Sequence, residues 1–579
     1  MNIHDFSVPV KDAVLKKNEI RKSVSKNITG EADRILKKPI PDTDYSLFRL
    51  YHITGKRADY HQPLMEKRKN LVFLAMAYYL TRKQQYLLKL QDYIWDTCNE
   101  PIWSAPAHLP EKLNFDHTYI DLLATSTAAK LAEIYALSCD GLDENIKSRI
   151  IHELEKRIFI PFYRHPEDYG WFKRHDSNWC AVCCGNIGVS VILAGRNGVY
   201  FEEILDNVSE AIKSYLDNFD TSGGWVEGIS YWNYGITNAV KFIDILYRAT
   251  AGKINLFNHP KLQLAGLFPV HCFLPPDGFV NFGDSHSHAL LNRETVLLLS
   301  RYTESGKYLS WLTKHIRLRD LEEIITLREI KAQRPKTPEK TFIHFKDIGW
   351  VITRKSWRDK DTCVLAVKAG NNGEPHNQID VGQFIFHVFG EDFLCDHGAG
   401  EYTKDYFSPR RYENPFCNAE GHSLIFIDGK GQGIGKEFSG RIIRAEHSQI
   451  KDIISIDITA AYPQGLATKI IRTLTLLKKS GYGSLLIEDL VETAGEKIVE
   501  SRIQFNGRLK KLDRTHLIIE GTRGKLVLNI LAPEKLSISV MSFKNPGTIY
   551  NTRTDIKFLR LISKSKGSVC FSIEAIPVE

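Results

Sequence analysis

The chain has 579 residues, 43% hydrophobic and 25% charged, and its 77 Lys and Arg against 69 Asp and Glu leave a net charge of +8. That length exceeds what one hydrophobic core usually holds, so two large domains are expected, and the composition excludes a disordered or fibrous chain. The mild positive excess suits an anionic ligand, while the absence of a dense basic stripe or of a zinc-finger, RRM-like or homeodomain-like pattern argues against a nucleic-acid partner.

Residues 1–44 interrupt every apolar stretch with Lys, Arg, Asp or Glu, leaving neither a secretory core nor a spanning helix. They read as a basic extension of a cytoplasmic protein that has no membrane partner. Ten cysteines, single apart from Cys180, Cys183 and Cys184, agree with a reducing compartment and give no disulfide framework. From 45 to 330 the apolar residues recur at helical spacing, as in NLVFLAMAYYL and TYIDLLATSTAAKLAEIYALS, and short Gly-, Pro- and Asp-bearing joints predict helical hairpins packed as a bundle or toroid. Charges and two prolines mark a linker over Lys331 to Lys340. From 341 to 579 the period changes to that of short strands separated by turns such as DGKG and SGYG, which predicts an antiparallel β-sandwich.

Four segments concentrate polar and aromatic groups. In HDSNWCAVCCGNIG, Asn178 and Trp179 precede a helix of small residues, where the Asn could be a functional amide or simply the helix cap. The cysteines that follow have no second pair at ligand spacing and read as small buried hydrophobes. In GGWVEGISYWNYG, Glu227, Tyr231 and Tyr234 crowd a helix start, with the two phenols three residues apart and able to face one cleft. The DGFVNFGDSHSH loop carries Asp277, Asp284, His286 and His288, readable as metal ligands or as an exposed loop. The most informative stretch is AGNNGEPHNQIDVGQF, where Asn371, Asn372, Glu374, His376, Asn377, Gln378 and Asp380 lead into a buried strand. It is followed by Asp396, Tyr402, Tyr406, Arg410, Arg411 and Tyr412, and then by His422.

These segments, in this order, resemble the heparinase II/III family of polysaccharide lyases. The likeness rests on SNWCAVCCGN and EGISYWNYG in the helical half and on PHNQIDVGQF, DHGAGEY and GHSLIFIDGKGQ in the β half. It implies an incomplete (α/α) toroid followed by an antiparallel β-sandwich, with a substrate cleft between them. It also implies an enzyme that cleaves acidic, uronate-containing oligosaccharides by β-elimination. Asn178 would bind the uronate carboxylate, Tyr231 would be the catalytic acid or acid/base with Tyr234 as fallback, and His376 would be the base or the neutralising partner. Trp179, Glu227, Asn377, Tyr402, Tyr406 and Arg411 would line the sugar site.

Elimination builds negative charge on the uronate carboxylate as the C5 proton leaves, so an amide and an imidazole beside it are what the chemistry needs. A phenol with an ordinary pKa near 10 must be ionised by cations or be matched to a leaving O4 that takes its proton. No cofactor is required. Relatives with a structural zinc often carry a second His two residues after the catalytic one, then an Asp and another His. Here these positions are Gln378, Asp396 and His422, and a carboxamide is a poor zinc ligand. Two other readings remain open: a glycoside hydrolase pairing Glu227 with Asp277 or Asp284, and a carbohydrate-binding protein without catalysis.

Overall fold

The structure, a computed structural model, describes residues 1–479, 481–544 and 555–579. A mostly helical half comes first, and every long strand follows it. At the centre of the helical half lies the helix Asn178–Ala194, which packs against Leu122–Ser138, Phe201–Asp217 and Ile229–Ala249. Being apolar on all sides, it is suited only to a fully buried place. Its glycines are needed there. A Cβ on Gly185 would stand 2.5 Å from the Asn238 carbonyl oxygen, and one on Gly188 would stand 2.4 Å from the Phe242 ring, so the helix at Ile229–Ala249 can approach only because both lack side chains. Among the described residues no helix is long and apolar enough to cross a membrane.

The first 44 residues are built into this half and are not a free extension. Ala13, Val14, Leu15, Val24, Ile28, Ala32 and Ile35 all belong to its core. The charges that break the apolar runs lie on the outer faces of the helices Val10–Val14 and Ser25–Leu36, and helical spacing gathers the remaining apolar residues on the inner ones.

The β half is two stacked antiparallel sheets. One has five strands, and the other is built around the long partners Ser484–Gln504 and Asp555–Val578, paired from Leu485 opposite Ala575 to Gln504 opposite Phe558 with a register shift between Glu492 and Glu496. Alternate residues of the five-stranded sheet enter different cores. Val351, Leu365, Val367, Phe384 and Phe386 pack with the larger sheet, while Trp350, Ile352, Val364, Ala366 and Ile385 pack with the helices. Both faces are covered, so the three inner strands Trp350–Arg354, Val364–Lys368 and Phe384–Val388 are buried along their whole length and do not alternate. The five-stranded sheet is thus the middle layer joining the helices to the outer sheet. Buried Arg472 fixes the outer sheet to the loop after His376: its Nε and Nη2 reach Asp489 at 2.7 and 2.8 Å, and its Nη1 reaches the Gly382 carbonyl at 2.8 Å.

Candidate active site

Ser177, not Asn178, caps the central helix, its hydroxyl accepting from the Trp179 N–H at 3.4 Å. Asn178 is therefore the first helical residue, and its amide is free to turn inward. One turn beyond Tyr231, Gly235 lets the two helices meet, since a Cβ there would lie 3.2 Å from the Asn178 Cβ. Gly228, at φ +83°, makes the tight entry to the Tyr231 helix, where a Cβ would collide with Ser285 Oγ at 2.4 Å. That turn brings the loop of Asp284 against the helix start. From the β half, His376 arrives in a left-handed backbone conformation, φ 55°, with its carbonyl accepting from the Asp284 N–H at 3.3 Å. A non-glycine residue held so is strained, as residues in binding sites often are.

These approaches converge on a cleft of about 770 Å³ at the junction of the two halves, lined by Asn178, Trp179, Tyr231, Tyr234, His376 and Tyr402 among others. The Tyr231 ring stacks on the His376 imidazole with centroids 3.8 Å apart and planes 20° from parallel. The Tyr231 and Tyr402 hydroxyls share a short hydrogen bond. His376 Nδ1 lies 3.1 Å from Asp284 Oδ2, and its Nε2 is 3.9 Å from Glu227 Oε1. Nδ1 facing a carboxylate is the donor, which leaves Nε2 as the ring nitrogen that carries the lone pair. Glu227 in turn accepts from the Asn178 amide at 3.1 Å, from the Asn178 backbone N–H at 3.1 Å and from the Trp225 indole at 3.0 Å.

Burial sets the ionisation. It pushes the Tyr231 and Tyr402 phenols well above the ordinary tyrosine range, and the Asp284 charge adds to it in both. Both are neutral donors at any physiological pH. Burial would also raise Asp284, but the Arg411 guanidinium, and after it His376 and Tyr406, hold its carboxyl below the usual range. Glu227 goes the other way: burial raises it, and His376, Asn178 and Trp225 only partly oppose this.

The six residues expected to touch sugar all line the cleft, as does Tyr234, the fallback phenol, and Trp179 packs edge-on to His108 at 4.8 Å. Four of the six turn their polar atoms inward. Glu227, 1% exposed, holds Asn178. Arg411 donates from one Nη to both Asp284 oxygens at 2.9 Å and from Nε to the Asn377 carbonyl, while Tyr406 donates to Asp284 at 2.6 Å. The Asn377 amide bonds the Gln378 carbonyl and accepts from Tyr412. These four hold Asn178, Asp284 and, through Asp284, His376 in place. Asn371, Asn372 and Glu374 knit the sheet edge, with Asn371 bonded to Glu374 and Asn372 to Gln432 and the Gly433 carbonyl. Asp277 and His288 sit 3.7 Å apart, the first half-buried and the second exposed, away from the cleft lining.

The zinc set does not assemble. Gln378 is fixed as a donor, its amide nitrogen 3.0 Å from both the Gly283 and Gly398 carbonyls. His422 and Asp396 approach to 3.5 Å, and both His422 ring nitrogens, Asp396 Oδ2 and Gln378 Oε1 are buried without a hydrogen-bond partner, but one imidazole, one carboxylate and a carboxamide are a poor ligand set for zinc. Among the described residues no three His, Cys, Asp or Glu side chains are grouped to hold a metal ion.

Among the cleft residues that escaped the sequence reading are Arg57, His61, His108, Phe407 and Arg174. The first three come from the N-terminal half of the helical region, where no local clustering marks them. Phe407 lay within a segment already noted, and its neighbours Tyr402 and Tyr406 were the available signal.

Residues 337–556 match the family model described as heparinase II/III-like, C-terminal. Compared by sequence with curated proteins, the chain matches none. Among solved structures it is similar to heparinase III, with a TM-score of 0.69 at 11% identity over 97% of this chain and 93% of that one. It is also similar to the heparan sulfate lyase HepC of Pedobacter heparinus, with a TM-score of 0.61, 15% identity and coverage of 100% and 87%. Chondroitin AC lyase of Streptomyces coelicolor gives 0.53, 10%, 99% and 83%. Residues 337–556 thus match a heparinase II/III-like C-terminal model, and the chain has the overall fold of heparinase III.

Proposed function

We propose that the protein is a polysaccharide lyase that cleaves uronate-containing oligosaccharides by β-elimination. The observation that carries this reading is the meeting of an amide, an imidazole and a neutral phenol, from residues 178, 376 and 231, in one sugar-sized cleft. His376 Nε2 takes the C5 proton, Asp284 holding the ring in the tautomer that leaves this nitrogen basic. The electron pair moves from C5 to form the C4–C5 double bond as the C4–O4 bond breaks. Asn178, oriented by Glu227, donates to the uronate carboxylate as its charge grows. Tyr231 gives its proton to O4, and Tyr402, bonded to the same phenol, is placed to restore it.

Hydrolysis lacks its carboxylates. Glu227 and Asp284 are buried and saturated by donors, and Asp277 is off the cleft, so no pair flanks a space for water. Asp396 and His422 do not line the cleft either, and every step above is carried by side chains that do.

A panel of uronate oligosaccharides assayed for ultraviolet absorbance of the 4,5-unsaturated product tests the reading. Tyr231→Phe and His376→Ala should abolish turnover while sparing oligosaccharide binding. Product without that absorbance, or full turnover in both variants, would overturn it.

A further inference from the structure

The reacting cleft does not end at the catalytic groups. It opens into a second cavity of about 470 Å³, and Arg57, His61, His108, Tyr234 and Tyr402 line both. Charge there is one-sided. The two cavities present Lys56, Arg57, Arg174 and Arg411 against only Glu227 and Glu401. Arg411 is neutralised by Asp284, Glu227 is buried behind Asn178 and Arg174 pairs with Asp176 at 3.7 Å, so Glu401 is the acidic lining residue left beside Lys56 and Arg57. Arg57 is the cation that lines both cavities. Among the described residues it has no ion-pair partner, and its Nε is buried with no hydrogen bond. A fork of donors left so should find an acceptor. Its plane is held by Phe407, whose ring lies 5.0 Å from the guanidinium carbon and 5.8 Å from the His376 ring. Two ring contacts therefore separate Arg57 from the proposed base, a spacing that suits the neighbouring sugar and not the one that reacts. The surroundings agree: burial first, and after it the Arg57 guanidinium, hold the His61 imidazole below its ordinary pKa against the opposing pull of Asp121.

We infer that Arg57 is a specificity-determining residue that binds a second anionic group, a carboxylate or sulfate, on the sugar next to the one that loses its C5 proton. The substrate class is then an oligosaccharide with acidic groups on adjacent sugars. This rests on the elimination reading for the reacting position but not for the binding itself.

The test compares wild type, Arg57→Ala and Arg57→Gln on three matched oligosaccharides whose neighbouring sugar carries a carboxylate, a sulfate or no charge. Loss of a charge-assisted bidentate contact should raise KM roughly 10- to 100-fold on the preferred anionic form, with kcat within about threefold and KM on the uncharged form unchanged. Whichever anion shows the discrimination identifies the group. Equal KM changes on all three, or none, would overturn the inference. Calorimetric binding of the same oligosaccharides separates the two readings: if wild type turns none over, the elimination reading fails, and Arg57 is still judged by whether its replacement weakens binding of the anionic forms alone. Arg57→Gln keeps the stem and part of the donor set, so it reports should the Ala variant fail to fold.

Discussion

Replacing Asp284 by Asn isolates the proposed orientation of His376. Three donors converge on Oδ1: Arg411 at 2.9 Å, Tyr406 at 2.6 Å and Gln378 at 3.3 Å. The oxygen of the new amide must take that position, which puts its NH2 where Oδ2 met His376 Nδ1 at 3.1 Å. Facing a donor, Nδ1 becomes the acceptor and the ring proton moves to Nε2, so the base is lost while the geometry remains. Roughly 10²- to 10⁴-fold should leave kcat, with a smaller change in KM, in line with what positioned bases and their orienting carboxylates contribute. Stability should fall as well, because Arg411 loses its buried counter-charge, a change that costs about 3–5 kcal/mol and here belongs at the lower end since the Asn377 and Tyr406 carbonyls still accept from it. Tyr406→Phe is the control: it removes one bond to the same carboxylate, should lower the thermal midpoint, and should leave kcat within about tenfold. Steady-state kinetics with thermal denaturation of both variants decide the matter. A folded Asp284→Asn protein with kcat within tenfold of wild type would refute the tautomer argument.

Glu227→Gln leaves one acceptor where three donors now meet, releasing Asn178. Steady-state kinetics should show kcat reduced about 10- to 100-fold, the worth of one or two hydrogen bonds to a charged group. Glu294, raised by burial to about 7, keeps its proton in the fold at pH values where the unfolded chain has lost it. Stability should therefore fall as pH rises from about 4.5 to 7 and then level off, by up to about 3 kcal/mol from this group. In Glu294→Gln, thermal midpoints measured from pH 5 to 8 should lose that part of the decline. Exhaustive chelation should leave kcat unchanged, because the reacting groups are all side chains of the cleft, and loss of turnover restored by added metal would contradict this.

The change of architecture was legible near residue 340 because the apolar period itself changes. Asn178, Tyr231 and His376 were legible because each belongs to a short polar stretch that packing alone does not call for. Their partners were not. Asp284 lies 92 positions before His376, and nothing local distinguishes a carboxylate that will orient an imidazole from one in an exposed loop. Glu227 looked like a sugar contact because its neighbours are polar, but Trp225 and Asn178 close over it. In residues 1–44 the signal was present, since Ile28, Ala32 and Ile35 stand at helical spacing, yet the intervening charges masked a face that is visible only once the helix has something to pack on.

The site depends on both cores at once, and that dependence explains its sensitivity to buried polar groups. Asn178 and Tyr231 belong to helices locked together by Gly185, Gly188 and Gly235, whereas His376 is carried by the β half. The middle sheet can hold these in register because its two faces belong one to each core, so sliding either half would break packing in both. Asp284 links the same halves through polar contacts, rising from the helical half to meet His376, Tyr406 and Arg411. Aligning an imidazole on one body with a phenol on another to within the tolerance of proton transfer takes a rigid joint, and a buried carboxylate with donors on every side supplies it.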